Sequence, residues 1–315
     1  MMTGHPTGDL PAAASTPVRS TLAPWLRQLA RVAALACMIS GHGIALAQAP
    51  YATPEAAADA LIEAVAANDR TALTQVLGKD AQTLVPLDRM DPADVRAFVD
   101  KARQTRSVRM LDGRRGELSV GADDWVLPIP LLQRTDGRWQ FDVSGGLRAL
   151  LEQRIGTNER SAMRAMLAYL DAQREYATVD RIGSGALQYA RRLVSSPGKR
   201  DGLIWSPDLG DESPLGQAFL PNRPGTGYHG YHFRILTGQG PQAPGGATSY
   251  LIGDRMVSGF ALIAWPVSYG RSGVMSFIVN HDGVIYERNL GPNSAKIAAS
   301  IQRFNPDSRW RRTQP

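Results

Sequence analysis

Two short stretches in the second half of the chain concentrate side chains that can bind a ligand. In the first, Lys199-Arg200-Asp201 follows Pro197-Gly198 in a tight, charged turn. Arginine forks match the geometry of carboxylate and phosphate groups, so this turn is a candidate anion site. The alternative is a solvated turn in which Asp201 bonds its own backbone, and turn chemistry favours that alternative.

The second stretch, residues 228–234, contains His229 and His232. Histidines suggest a metal, but residues three apart on a strand face opposite sides, so these two imidazoles diverge. We therefore predict no metal site, and we predict no cofactor. The candidate ligand-binding residues are Lys199, Arg200, Asp201, Tyr228, His229, His232 and Arg234.

Catalytic signatures do not accompany these residues. The chain has no G-x-S-x-G elbow, Walker loop or H-E-x-x-H motif. Asp123 and Asp124 are adjacent residues just before the strand predicted from Trp125, and adjacent residues of an extended chain point to opposite faces, so their carboxylates cannot flank one substrate. The sequence favours a non-enzymatic binding or structural module of the cell envelope. The alternative is a hydrolase that acts on an envelope polymer through the loops at 199–201 and 229–232.

Four aromatic residues can contribute a surface for a partner, although most of their area is expected in the core. Tyr and Trp side chains can stack a sugar or grip a partner strand at low entropic cost. Trp265, followed by Pro266 at a strand end, is expected nearest the surface. The expected partner is an envelope protein or a polysaccharide. Nucleic acid is not expected, since the net charge of +6 is modest and no aromatic stripe alternates with lysines. The four aromatic residues that can contribute to this surface are Tyr228, Tyr231, Trp265 and Tyr269.

The N-terminal segment has the pattern of an export signal. Three arginines, the last of them Arg31, precede apolar runs at 32–36 and 44–47, and Ala45-Leu46-Ala47 matches an A-x-A cleavage site. We expect residues 1–47 to be removed as a signal peptide, which leaves a periplasmic or secreted chain with no stable transmembrane segment. Retention as an anchor stays open, although residues 40–43 interrupt the apolar run and a spanning helix needs about 20 apolar residues.

The mature chain must be stabilised by core burial. Cys37 is the only cysteine and leaves with the signal peptide, so the mature chain can form no disulfide and no thiolate site. The 268 residues that remain are enough for two domains of ordinary size.

The N-terminal domain is predicted to span residues 48–150. Thr53-Pro54, Asn68-Asp69 and Asp91-Pro92 each place a capping side chain at the start of an apolar helical pattern. Asp136-Gly137 predicts a two-residue hairpin turn in which both residues have positive φ. Helices followed by an antiparallel sheet make an α+β domain. The predicted strands are 117–120, 125–132 and 138–143.

The C-terminal domain is predicted to span residues 151–315 and is also α+β. A connecting helix at 147–155 is expected to end at Gly156, and a long amphipathic helix follows at 159–177. This helix is expected to pack on an antiparallel sheet of four or five strands. The strand signals lie at 231–236, 249–252, 259–265, 274–279 and 284–288.

Several long blocks carry a family resemblance. Residues 169–177 (YLDAQREYA), 197–205 (PGKRDGLIW), 228–246 and 259–291 resemble a bacterial exported family catalogued as domain of unknown function 2950. The resemblance implies export and a two-domain layout, and it carries over no catalytic residue. That family often has an acidic D-x-D-G-D-G loop after the long helix. Here only Asp180 remains of those carboxylates, which argues against calcium.

Two looser resemblances concern the fold of each domain. Residues 50–145, with DGRWQFDV near their end, resemble the cone-shaped fold of nuclear transport factor 2-like and cystatin-like domains. The helix bearing Gln173 and Tyr176, followed by a loop and strands with Ala264 and Pro266, is similar to the globular head of type IV pilins. The second likeness is a fold analogy and implies no pilus assembly.

Overall fold

The computed structural model describes residues 48–220 and 225–315, so the predicted export segment lies outside the described residues. The chain divides into two compact units, and the division falls between Leu147 and Arg148. Both units combine helices with antiparallel sheet, which confirms the α+β class. Among the described helices, none has the length and apolar character needed to cross a membrane.

The helices of the first unit begin where the sequence predicts. Thr53, Asp69 and Asp91 are N-caps whose side-chain oxygens accept hydrogen bonds from backbone amides of the first turn. Such caps stabilise a helix by satisfying amides that have no partner within it. The helices are α1 (Pro54–Ala66), α2 (Arg70–Leu77), α3 (Ala81–Leu84) and α4 (Pro92–Gln104), with a 3₁₀ turn at Gly78–Asp80.

Five strands form the sheet of the first unit. The single strand predicted at 125–132 is wrong, because Pro128 and Pro130 lack the amide that a ladder needs and the segment splits into two short strands. The sheet order is β1-β2-β4-β5, and β3 pairs with β2. The strands are β1 (Arg106–Asp112), β2 (Arg115–Val120), β3 (Trp125–Val126), β4 (Leu131–Gln133) and β5 (Trp139–Phe141).

The turn between β4 and β5 differs from the predicted one. Of its two central residues only Gly137 has positive φ, at 80°. The Gly137 amide donates to the Arg134 carbonyl, and the Arg134 amide donates to the Arg138 carbonyl. This is a longer turn that ends in a left-handed glycine, a common alternative to the two-residue turn. Trp139 and Phe141 are still buried, as the alternation predicts.

One continuous helix, α5 (Val143–Tyr176), replaces the two predicted helices. The expected stop at Gly156 is wrong. A glycine inside a helix costs about 1 kcal/mol, which neighbouring contacts offset. The Asn158 side-chain amide donates to the Ser272 carbonyl at 2.9 Å, and the Glu159 carboxylate accepts from the backbone amides of Val274 and Met275, each at 2.9 Å.

The second unit is built on a five-stranded antiparallel meander in which each strand pairs with the next in the order β6-β11-β12-β13-β14. Strand β14 was not predicted, because a three-residue strand in a basic tail carries no period-two signal. The strands of the unit are β6 (Tyr231–Leu236), β7 (Gly238–Gln239), β8 (Thr248–Ser249), β9 (Leu251–Ile252), β10 (Arg255–Met256), β11 (Ala261–Pro266), β12 (Met275–Asn280), β13 (Ile285–Asn289) and β14 (Arg311–Thr313). Helix α6 (Ser294–Ser300) precedes β14, and 3₁₀ turns lie at Pro207–Leu209 and Gln217–Phe219.

A buried polar contact ties α5 to the loop that follows it. Gln173 is fully buried. Its amide nitrogen donates to the Ala190 carbonyl and to the Tyr169 hydroxyl, and its carbonyl oxygen accepts from the Ala190 amide. The Tyr169 hydroxyl in turn donates to the Ala261 carbonyl of β11. The helix, the loop and the sheet therefore share one hydrogen-bonded network.

Gln173→Ala should lower the free energy of unfolding by about 2–4 kcal/mol, because the buried amide and carbonyl of Ala190 lose their partner. Urea denaturation measures this. Arg174→Ala is the matched control, since its exposed ion pair with Asp171 contributes about 0–1 kcal/mol. Equal destabilisation by the two variants would contradict the assigned role of Gln173.

Candidate functional site

The charged turn at 199–201 uses two of its three predicted ligand-binding residues to hold its own fold. The Asp201 carboxylate accepts from the Ser196 amide at 2.7 Å and from the Ser196 hydroxyl at 2.8 Å. Burial raises the pKa of the Asp201 carboxyl, but these hydrogen bonds outweigh it and hold the pKa below its usual range. Arg200 pairs with Asp211 at 2.6 Å, whereas Lys199 is exposed. These contacts match the alternative interpretation, in which residues 199–201 form a solvated turn and Asp201 bonds the nearby backbone.

The side chains of the second predicted stretch, residues 228–234, do not lie together in the structure. The Tyr228 ring stacks on Phe219, with ring centroids 4.8 Å apart. His229 lies exposed in the turn before β6, with φ of 47°. Tyr231 is fully buried, and its hydroxyl donates to the Met275 carbonyl. The aromatic surface expected from Tyr228, Tyr231 and Trp265 therefore does not form as one patch.

His232 and Arg234, in contrast, lie on one face of the meander. In an antiparallel pair, residues directly opposite share a face, and residues two apart on a strand share it too. The directly opposite pairs on this face are His232 with Trp265, Arg234 with Ile263, Ile263 with Ile278, Ile278 with Tyr286, Ser276 with Arg288, and Tyr286 with Arg312. We name the exposed and half-exposed residues His232, Trp265, Arg288 and Arg312 the outer-face patch.

The outer-face patch combines aromatic area with unpaired positive charge. The His232 and Trp265 rings lie 5.6 Å apart, and burial lowers the pKa of His232. The Arg312 guanidinium lies 5.9 Å from the Tyr286 ring. Within the described part of the chain, neither Arg288 nor Arg312 has a carboxylate within 4.0 Å. Arg288 lies near enough to Asp307 for its charge to help lower the pKa of that carboxyl, so Arg312 is the less engaged of the two.

Two neighbouring arginines of the tail differ from these. Arg309 pairs with Asp307, and Arg311 pairs with Glu287. Arg234 is also engaged, because its guanidinium donates to the Ala298 and Ile301 carbonyls at 2.7 and 2.6 Å. These carbonyls belong to the C-terminal end of α6, where a cation is favoured by the helix dipole. Arg234 therefore anchors α6 to β6.

A polar cavity of about 410 Å³ escaped the sequence analysis. The Tyr250 hydroxyl donates to the Gln239 side chain at 2.8 Å, and burial raises the pKa of Tyr250 to about 12. The segment 280–283 lies between the predicted strands 274–279 and 284–288, and nothing local to it indicates that Tyr250 lies opposite. The cavity is lined by Gln239, Pro244, Gly245, Thr248, Tyr250, Ser258, His281 and Asp282.

Ser258, His281 and Asp282 border this cavity but do not have the geometry of a hydrolytic triad. In a triad the carboxylate holds the imidazole nitrogen opposite to the one that faces the serine. Here His281 Nε2 lies 3.7 Å from the Asp282 carboxylate, while Nδ1 is buried without a partner. Nδ1 is packed against Gly259, where a side chain would not fit. His281 is therefore not oriented as a general base for Ser258.

Metal ligands are not clustered in the described ranges, where no group of three or more His, Cys, Asp or Glu side chains could hold an ion. The Asp180 carboxylate accepts hydrogen bonds from the Ser184 and Gly185 amides. These bonds hold the pKa of Asp180 below its usual range. The Asp180 carboxylate therefore stabilises the loop at 180–185 by hydrogen bonds to the loop's own backbone.

Fold and site together define an α+β protein whose second unit carries half-exposed aromatic and basic side chains on one sheet face, around a buried centre at Ile263, Ser276 and Ile278. The chain belongs to the family described as protein of unknown function (DUF2950), whose model matches residues 48–313. No curated protein and no solved structure matches the chain. The family supports the resemblance seen in the sequence and assigns no reaction.

Arg234→Ala should lower the free energy of unfolding by about 1.5–3 kcal/mol, since the last carbonyls of α6 lose a charged donor. Lys199→Ala should change it by no more than about 0.5 kcal/mol, as expected for an exposed residue. Urea denaturation of both variants checks this. If Arg234→Ala unfolds like the unaltered protein, the anchoring role is wrong and Arg234 is free for a ligand.

Proposed function

We propose that this protein is exported and acts as a binding module of the cell envelope, and that it holds an acidic polysaccharide on the outer-face patch. One observation carries the proposal. Trp265 lies beside His232 on the same sheet face as two arginines, Arg288 and Arg312, neither of which has a carboxylate within 4.0 Å in the described chain. A half-exposed aromatic and basic face is typical of binding and not of a deep catalytic site.

The chemistry of the patch selects the ligand class. An indole offers a large rigid ring whose face contacts the apolar side of a sugar, and its N–H remains a donor. Guanidinium forks match carboxylate groups in two-point contacts. A sugar polymer that carries uronic acids presents both features at regular spacing, which suits a patch where Trp265 and Arg288 lie on neighbouring parts of one face.

Export and layout complete the proposal. The A-x-A site at 45–47 predicts a mature chain that begins at Gln48, and the family match begins at the same residue. We assign residues 48–150 to a cone-shaped domain like nuclear transport factor 2-like or cystatin-like domains, and residues 151–315 to a domain like a pilin head. Location is then periplasmic or secreted.

Hydrolysis of an envelope polymer is the alternative that the sequence left open. The loop at 199–201 is engaged by its own hydrogen bonds, and the cavity around His281 lacks the carboxylate–imidazole arrangement of a triad. These two observations favour binding over hydrolysis.

Calorimetric titration of residues 48–315 with oligogalacturonate tests the proposed ligand class. Trp265→Ala and the double variant Arg288→Ala/Arg312→Ala should each weaken binding at least about tenfold, as expected for an aromatic or charged anchor. Higher salt should weaken binding further, because exposed charges are screened. The matched control is Arg255→Ala, an exposed arginine of β10 that should leave affinity unchanged.

Thermal melts show whether each variant is folded. Equal affinity of the unaltered protein and both patch variants would contradict the proposal. Equal binding of neutral dextran would contradict the assignment of an acidic ligand.

A further inference from the structure

Arg154 and Arg271 are brought together by the contact between α5 and the loop that joins β11 to β12. Arg154 lies four residues before Asn158 and so shares its helix face. The side-chain amide of Asn158 donates to the Ser272 carbonyl, and Arg271 is the residue before Ser272. The loop therefore brings Arg271 to this part of α5, near enough for its charge to lower the pKa of Arg154.

The position of this loop is fixed. The Ser268 amide donates to the Ser272 hydroxyl at 2.9 Å, and the Arg271 amide donates to the Ser268 carbonyl at 3.1 Å. Gly230 packs against the loop so closely that a side-chain carbon there would lie 2.8 Å from Ser272. Arg271 thus projects from a rigid turn, which is what a preorganised site requires.

Neither arginine is neutralised. Within residues 48–220 and 225–315, neither Arg154 nor Arg271 forms an ion pair or a side-chain hydrogen bond, and Nε of Arg154 is buried without a partner. Burial, followed by the charge of Arg271, lowers the pKa of Arg154. Glu159, which lies one residue beyond Asn158 on α5, accepts from the Val274 and Met275 amides.

Two neighbouring cations repel each other, and an anion that contacts both relieves this repulsion. We propose that Arg154 and Arg271 form a binding site for a phosphate monoester, separate from the outer-face patch. A phosphate monoester carries about two negative charges at pH 7 and accepts hydrogen bonds at three oxygens, so it matches two guanidinium forks. A single carboxylate would leave one of the two positive charges unbalanced.

Inorganic phosphate is the first probe. Calorimetric titration of residues 48–315 at constant ionic strength should show saturable binding. Arg271→Ala and Arg154→Met should each weaken it at least tenfold. Arg160→Ala is the matched control, because this exposed arginine of α5 donates to the Thr157 hydroxyl and should leave binding unchanged. Trp265→Ala should also leave it unchanged.

Vesicle binding separates two sources of the same chemistry. Phosphatidylcholine vesicles with and without phosphatidic acid are sedimented with the protein. Retention that requires both phosphatidic acid and Arg271 assigns the site to a lipid headgroup, and phosphate binding without such retention assigns it to a soluble phosphate. The proposal is overturned if Arg271→Ala changes neither measurement, with thermal melts confirming that the variant is folded.

Discussion

The antiparallel pairing of β6 with β11 is the constraint on which the described surfaces depend. A slip of one residue would turn every side chain of β6 to the other face. Tyr231 prevents such a slip, because it is fully buried and its hydroxyl donates to the Met275 carbonyl. With the register fixed, His232 must lie opposite Trp265, and the next residue on that face, Arg234, must reach the end of α6.

The arginines of the second unit differ in the groups that their side chains contact. Arg200 and Arg234 donate to backbone carbonyls, and Arg181 lies between the Tyr176 and Trp205 rings while it faces Asp211. These cations stabilise loops and a helix end. The arginines of the two proposed sites, Arg154, Arg271, Arg288 and Arg312, have no carboxylate within 4.0 Å in the described chain, a property that they share with exposed arginines such as Arg160 and Arg255.

Features set by neighbouring residues could be predicted from the sequence. The caps at Thr53, Asp69 and Asp91 and the strand at 231–236 depend on short-range patterns, and the structure has them. The helix end predicted at Gly156 is wrong. Asn158 and Glu159 contact a loop more than 110 residues away, and these contacts stabilise the helix beyond Gly156.

The candidate site could be predicted only in part, for the same reason. His232 was selected as a histidine near aromatics, but its partner Trp265 is fixed by strand register. His281 and Arg154 gave no local signal, since the groups that surround them come from distant segments. Short-range chemistry also could not separate Arg234, which anchors a helix, from an arginine that is free to bind.

The indole N–H resonances of the tryptophans test the central claim most directly. In the nitrogen–proton spectrum of residues 48–315, with Trp265→Phe used to assign the signal, oligogalacturonate should shift the Trp265 resonance. The Trp125 and Trp139 resonances of the first unit should stay in place. A shift of Trp205, or of the first-unit signals, with an unchanged Trp265 would show that the ligand binds elsewhere and would contradict the outer-face assignment.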